Sequence, residues 1–171
     1  MSAVTEQEVR ALASGARAAP NEVLTLRLGA EEYGIDILRV QEIRSYEQPT
    51  RIAGAPGHVL GVTNLRDVIV PIVDLRCRFG LAAAFGGDTV TVVLGIGGRT
   101  VGAVVDAVSD VVALMPEHVK PAPEFSGAVD AGHITGIATL GNGDRARMLI
   151  LVDIAALMSA VDGAALVQAI H

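Results

Sequence analysis

Aromatic side chains are nearly missing from this sequence: two Tyr, three Phe and no Trp make up 3% of its 171 residues. So few rings leave no platform on which bases or sugars could stack, which argues against single-stranded nucleic-acid binding. Basic residues are also in short supply, with 13 Lys and Arg against 19 Asp and Glu and a net charge of -6. No basic field exists to neutralise a phosphate backbone. A single cysteine, Cys77, permits no intramolecular disulfide, and nothing calls for an oxidising compartment. No apolar stretch approaches the ~20 residues of a membrane span. Glu6 and Glu8 precede any apolar run, unlike a signal peptide. A cytoplasmic protein without membrane insertion is expected.

What is present is a core. Hydrophobic residues make up 51% of the chain and charged residues 19%, enough for one ordinary domain or two very small ones that share an interface. Valine and isoleucine dominate the apolar set, which favours strands. Residues 1–20, rich in Ala, Glu and Ser and ending at Pro20, read as a mobile tail. From Val23 an apolar run to Leu28, the polar turn Gly29 to Glu32, and Tyr33 to Ile37 form a hairpin signal. Further strands are predicted over Val59–Leu65, Val68–Val73, Thr89–Ile96, Thr100–Val112, Ile134–Leu140 and Met148–Val152. Short helices follow the N-caps Asp74, ending at Gly80, and Asp153, running to Ala160. Gly163 to Ile170 is suited to a closing helix.

A weak internal repeat decides the architecture. Gly34, Val40, Glu42 and Ile43 have the spacing G-x5-V-x-E-I, and Gly102, Val108, Asp110 and Val111 repeat it as G-x5-V-x-D-V. Gly61-Val62-Thr63-Asn64-Leu65 then leads to Val73-Asp74-Leu75, as Gly136-Ile137-Ala138-Thr139-Leu140 leads to Val152-Asp153-Ile154. Two matches in the same order imply a duplicated β unit, roughly 20–80 and 88–158, and hence two small barrels sharing a core.

Catalytic chemistry finds no constellation. His58, His118, His133 and His171 are scattered and share no metal-ligand spacing, which places them on loops or the surface. Cys77 lies between Arg76 and Arg78, which a short helix would turn to different sides, so it reads as a packing residue. Gly86-Gly87 and Gly95-Ile96-Gly97-Gly98 open no helix and precede no Lys with Ser or Thr, so they read as turns. Asp36, Asp74, Asp106, Asp110 and Asp153 lie in or beside apolar runs, but Asp74 and Asp153 occupy equivalent strand ends, as helix caps would. No catalytic, metal or cofactor site is assigned; a small hydrolase or lyase would need a convergent polar pocket. The functional signal is polar groups set among small and β-branched residues. Arg66, after Asn64-Leu65 at a hairpin tip, can reach a carboxylate or carbonyl on a partner. Glu42, between Val40 and Ile43, is its exposed counterpart, and a solvated salt bridge is the alternative use of both.

Two long ordered stretches carry a resemblance: Leu28-Gly29-Ala30-Glu31-Glu32-Tyr33-Gly34-Ile35-Asp36-Ile37-Leu38-Arg39-Val40-Gln41-Glu42-Ile43, and Gly61-Val62-Thr63-Asn64-Leu65-Arg66-Asp67-Val68-Ile69-Val70-Pro71-Ile72-Val73-Asp74-Leu75. With Val101-Gly102, Val105 to Val111, Lys120 to Pro123 and Met148 to Ile154, they closely resemble the CheW family of coupling proteins in bacterial chemotaxis. The same module occurs fused in the kinase CheA and in CheV, and at this length the stand-alone form is expected. The resemblance implies a mainly β fold of two SH3-like five-stranded β-barrel subdomains sharing a hydrophobic core, with short helices. It implies a CheW-like domain over 21–160, followed by a C-terminal helix or tail over 161–171. It also implies a non-catalytic adaptor without cofactors, held in membrane receptor clusters through protein partners. Those partners would be the regulatory domain of the histidine kinase CheA and the cytoplasmic tip of a methyl-accepting chemoreceptor. By similarity the receptor tip would lie in the groove between subdomains and touch Val40, Glu42, Ile43, Gly61, Arg66, Val108 and Val111. The kinase domain would meet exposed barrel edges, with no residues assigned. The same adaptor chemistry could serve another sensory or motility pathway. Asp67 stands where the family usually has Gly.

Overall fold

Strands that are apolar at nearly every position need cover on both faces, and Val90–Ile96 and the strand after it are of that kind. The computed structural model describes residues 22–55, 57–81, 84–121, 133–141 and 146–158. In chain order they form β1 (Glu22–Leu28), β2 (Glu31–Asp36), a 3₁₀ turn (Ile37–Arg39), β3 (Val40–Ser45), β4 (Val59–Leu65), β5 (Val68–Asp74) and a short helix (Leu75–Arg78). The second half follows with β6 (Val90–Ile96), β7 (Arg99–Val105), β8 (Ala107–Ala113), a 3₁₀ turn (Pro116–His118), β9 (Val119–Lys120), β10 (Ile134–Leu140) and β11 (Arg147–Val152). Helical residues 154–158 end the described chain. The expected tail over 1–20 and the C-terminal helix over 161–171 lie outside the described residues.

The strand expected over Thr100–Val112 is two strands. It breaks at Asp106, whose backbone N–H donates to the Arg27 carbonyl at 3.1 Å and whose carboxylate accepts from the Gly29 N–H at 2.7 Å. An aspartate satisfying a neighbouring turn cannot continue a ladder, so the chain bends there.

Two sheets result, in the order β3-β6-β7-β5-β4 and β8-β1-β2-β11-β10-β9. The first closes through Thr50, just after β3, which exchanges two backbone hydrogen bonds of 2.9 Å with Val62 of β4. The outer strands of the second, β8 and β9, follow each other in the chain across the Pro116–His118 turn, so that sheet also curls into a barrel. Neither barrel is made from one repeat. The first takes β3, β4 and β5 from the first unit and β6 and β7 from the second; the other takes β1 and β2 from the first and β8 to β11 from the second. Each barrel is joined across the repeats by one antiparallel pair, β3 with β6 or β1 with β8, and by one parallel pair at equivalent places, Ile72 beside Gly102 and Leu151 beside Gly34.

The exchange explains the core. One large cluster draws Leu24, Leu26 and Leu28 of β1, Val92 and Leu94 of β6, Val101 and Ala103 of β7, and Val152, Ile154 and Leu157 into contact. Opposite faces feed smaller clusters, Val70, Ile72, Val93 and Val104 in one barrel and Val23, Ala138 and Leu149 in the other. Asp74 caps the short helix as expected, accepting from the Arg76 N–H at 2.9 Å, and its carboxylate is bridged by the Arg76 guanidinium at 3.0 Å. Both side chains are buried, and Arg76 also reaches Asp106 at 3.0 Å and lies over the Phe85 ring. An arginine whose donors are shared among two carboxylates and a ring tolerates such burial. Asp153 caps the last helical residues in the same way, through the Ala156 N–H at 3.0 Å. Cys77, expected to pack, is exposed instead, because its neighbour Arg76 takes the inward side of the helix.

Candidate functional site

A regular strand points residues three apart to opposite faces. In β3, Val40 and Ile43 nevertheless pack on the same central cluster. Val40 faces Leu94 while Glu42 faces Val93, so Gln41 is an extra, bulged residue. β8 has its bulge at the equivalent place: Val108 faces Leu26 and Val111 faces Leu24, leaving Ser109 and Asp110 opposite Thr25. Val108 and Val111 thereby reach the same cluster. Ile43, Val108 and Val111 remain half-buried, so three β-branched side chains present apolar surface from two equivalent strands.

The charges are set by a hairpin turn. Arg66 and Asp67 have φ of 51° and 68°, both left-handed, and join Leu65 and Val68 as a two-residue type I′ turn. The Asn64 side-chain oxygen accepts from the Asp67 N–H at 2.9 Å. From this turn Arg66, whose side chain is 63% exposed, reaches back to Glu42 at 2.6 Å. Glu42 also accepts from Arg44 at 3.1 Å. Burial pushes the Glu42 carboxyl up, but the two guanidinium groups outweigh it and hold the group below its ordinary range.

Seven residues were expected to meet a partner, and their exposures divide them. Arg66 is exposed and Ile43, Val108 and Val111 are half-buried. Glu42, expected at an exposed rim, is only 2% exposed, and Val40 is 1% exposed. Glu42 is drawn inward because the β3 bulge turns it under Arg66; it anchors the arginine rather than offering a free charge. Gly61 is buried and acts through its backbone, at φ 148° against Thr50, whose carbonyl oxygen would lie 2.1 Å from any Cβ built there.

A second ion cluster was not foreseen. Asp110, the repeat equivalent of Glu42, accepts from Arg147 at 2.8 Å, and Arg147 forks onto Glu32 at 2.8 and 2.7 Å. Its hydrogen bonds from Arg147 hold the Asp110 carboxyl low, and the two acids raise the arginine in turn. The signal in the sequence was the repeat itself: if one repeated acid position takes an arginine, its duplicate should too. Equally legible was the match of His58-x2-Gly61 with His133-x2-Gly136. Their carbonyls accept from the equivalent Asp74 and Asp153 N–H groups at 2.8 and 2.9 Å. Among the described residues no three His, Cys, Asp or Glu side chains converge as metal ligands.

These features have a known setting. The model of the CheW-like domain matches residues 22–162. The chain belongs to the CheW family. It is 54% identical over 139 residues to the chemotaxis protein CheW of Klebsiella aerogenes, covering 81% of each chain. It is 34% identical over 143 residues to that of Treponema pallidum, covering 81% of this chain and 82% of the relative. The crystal structure of the scaffolding protein TtCheW from Thermoanaerobacter tengcongensis superimposes with a TM-score of 0.71 at 30% identity, over 81% of this chain and 92% of that one. The mainly β fold with two SH3-like barrels is therefore that of a CheW scaffold in chemotaxis. No helix among the described residues is long and apolar enough to cross a membrane.

Proposed function

We propose that this CheW-family chain is a non-catalytic adaptor that couples the cytoplasmic tips of methyl-accepting chemoreceptors to the histidine kinase CheA. The reading rests most on one observation: two equivalent bulged strands turn Ile43, Val108 and Val111 onto one apolar cluster, and the first of them also carries the buried Glu42 that tethers an exposed Arg66. A receptor tip is a helical hairpin, and an apolar surface edged by an oriented guanidinium can bury helix side chains and fix their register. Val40 and Glu42 form the support beneath that surface, and Gly61 its backbone rim. The regulatory domain of CheA meets exposed barrel edges, and the chain works in the cytoplasm, at receptor clusters. Acid–base catalysis has no support, since the buried Glu42 and Asp74 carboxylates are each committed to arginine. Coupling needs only that receptor states differ in affinity for the adaptor–kinase assembly.

Sedimentation with receptor-tip fragments and with the CheA regulatory domain, singly and together, tests the reading; both are expected to co-sediment with the chain. Receptor control of CheA autophosphorylation should disappear when the chain is omitted from a reconstituted mixture. Control that persists without it would overturn the assignment.

A further inference from the structure

The bulge in β8 leaves a gap in its ladder with β1, and the gap is filled by a side chain. Thr25 stands opposite Ser109 and Asp110, where the register shifts, and its hydroxyl accepts from the Asp110 N–H at 3.0 Å while also touching the Asp110 carboxylate. Thr25 is fully buried. The Asp110 carboxylate is gripped on its other side by Arg147, at 2.8 and 3.2 Å, and Arg147 is itself forked onto Glu32 of β2. Thr25 and Glu32 come from the first unit, Asp110 and Arg147 from the second. A bulge is a local choice among alternative registers, and each one-residue slip turns a side chain to the other face. In regular pairing Val108 and Val111 would point to opposite faces; here both reach the central cluster.

We infer that Arg147, acting through Asp110 and Thr25, is a positioning residue for the partner-binding surface: it locks the β8 bulge that sets Val108 and Val111 side by side. The inference rests on the receptor-binding reading above for its consequence, but the lock itself does not. The first barrel has the counterpart, where Arg66 holds Glu42 at the β3 bulge. The arginine comes from the later hairpin of its unit in both cases, β4–β5 there and β10–β11 here. Arg66 is largely exposed and can touch a partner; Arg147, with a side chain 28% exposed and both sides of its fork occupied by carboxylates, is suited to hold a strand. Lysine cannot bridge two carboxylates with the same planar fork.

The test uses the full chain with Arg147→Ala and Arg147→Lys, and reads two quantities for each. Amide exchange at Asp110 reports the lock, and binding to a receptor-tip fragment and, separately, to the CheA regulatory domain reports its consequence. Faster exchange at Asp110 in both variants is expected, with receptor-tip affinity lowered several-fold in Arg147→Ala, less in Arg147→Lys, and kinase-domain affinity unchanged. Parental exchange at Asp110 in Arg147→Ala would overturn the lock. Equal losses of receptor and kinase binding in Arg147→Lys, the milder variant, would overturn positioning in favour of general stability. If the parent chain itself fails to bind the tip, the functional reading fails, and the exchange at Asp110 still decides the lock.

Discussion

At Asp67 the backbone sits at φ 68°, beside Arg66 at φ 51°, a conformation that costs an L residue about 1 kcal/mol and costs glycine nothing. The bond that stabilises the turn, from the Asp67 N–H to Asn64, uses only the backbone of residue 67. Asp67→Gly should therefore be neutral or stabilising by up to about 1 kcal/mol, offset in part by the added freedom of the unfolded chain. A melting temperature clearly below the parent's would show that the Asp67 side chain makes a native contact. Arg66 is a different case from an ordinary exposed arginine, because its partner Glu42 is buried. Removing it with Arg66→Ala takes the shorter of its two arginine contacts from that carboxylate, at a cost of about 1–3 kcal/mol, in addition to the loss of receptor binding expected from the proposed function. The folded protein holds Glu42 below the ordinary glutamate range, so its contribution is complete above that range and is lost as pH falls through the lowered value. In Arg66→Ala the carboxyl rises, and acid unfolding followed by circular dichroism should begin at a higher pH than in the parent. At this scale the sequence marked these polar groups but not their depth. Arg66 and Glu42 were both legible as polar groups set among apolar neighbours, yet whether an acid in a V-x-E-I run faces out or in depends on a bulge, and the bulge depends on β6, whose Val93 and Leu94 lie more than fifty residues further along the chain.

Elements were legible where periodicity or turn chemistry was local. β4 and β5 match their expected spans because their apolar runs flank a two-residue turn, and β10 is framed by its glycines. β3 and the two-residue β9 escaped notice because their pairing is fixed by distant partners, β6 and β10, not by their own composition. What closes each barrel was also hidden, although its glycines were in plain view as part of the repeat. Gly61 lies under the Thr50 carbonyl, 2.1 Å from where a Cβ would be, and Gly136 lies under that of Lys120, at 2.9 Å. In each case the backbone of the closing segment crosses a bulge that only glycine leaves open. The two are not equally constrained, since Gly61 alone combines the contact with positive φ. Gly61→Ala should break the Thr50–Val62 bridge and cost about 3–5 kcal/mol, whereas Gly136→Ala should cost about 1–3 kcal/mol. Chemical denaturation of the two variants checks the ranking; equal losses would mean that barrel closure does not depend on the strained position.

At the scale of the molecule, a duplicated sequence suggests one barrel per copy, and the exchange of hairpins has the opposite consequence for how the chain folds. Divide the chain between Gly86 and Gly87. The pairings β1 with β8, β2 with β11, β3 with β6 and β5 with β7 all cross the cut. So do the Arg76–Asp106 and Arg147–Glu32 bridges. Among the described residues, only the β1–β2 and β4–β5 hairpins and the Thr50 bridge survive inside the first half, and only β6–β7 and the β9–β10–β11 ladder inside the second. Two-stranded hairpins are marginal in water, and each would expose the apolar face that the other half was covering, Leu24 and Leu26 on one side and Val92 and Leu94 on the other. Residues 1–86 and 87–171 made as separate fragments should therefore each lack cooperative unfolding and dispersed amide resonances. Mixed in equal amounts they should recover both, because every lost pairing is intermolecular in the mixture. Recovery should be slow, as the pairings joining the two halves must form across separate chains before either core closes. A first fragment that folds by itself into a stable five-stranded barrel would mean that the repeats close on themselves and that β6 and β7 are not essential members of the first barrel.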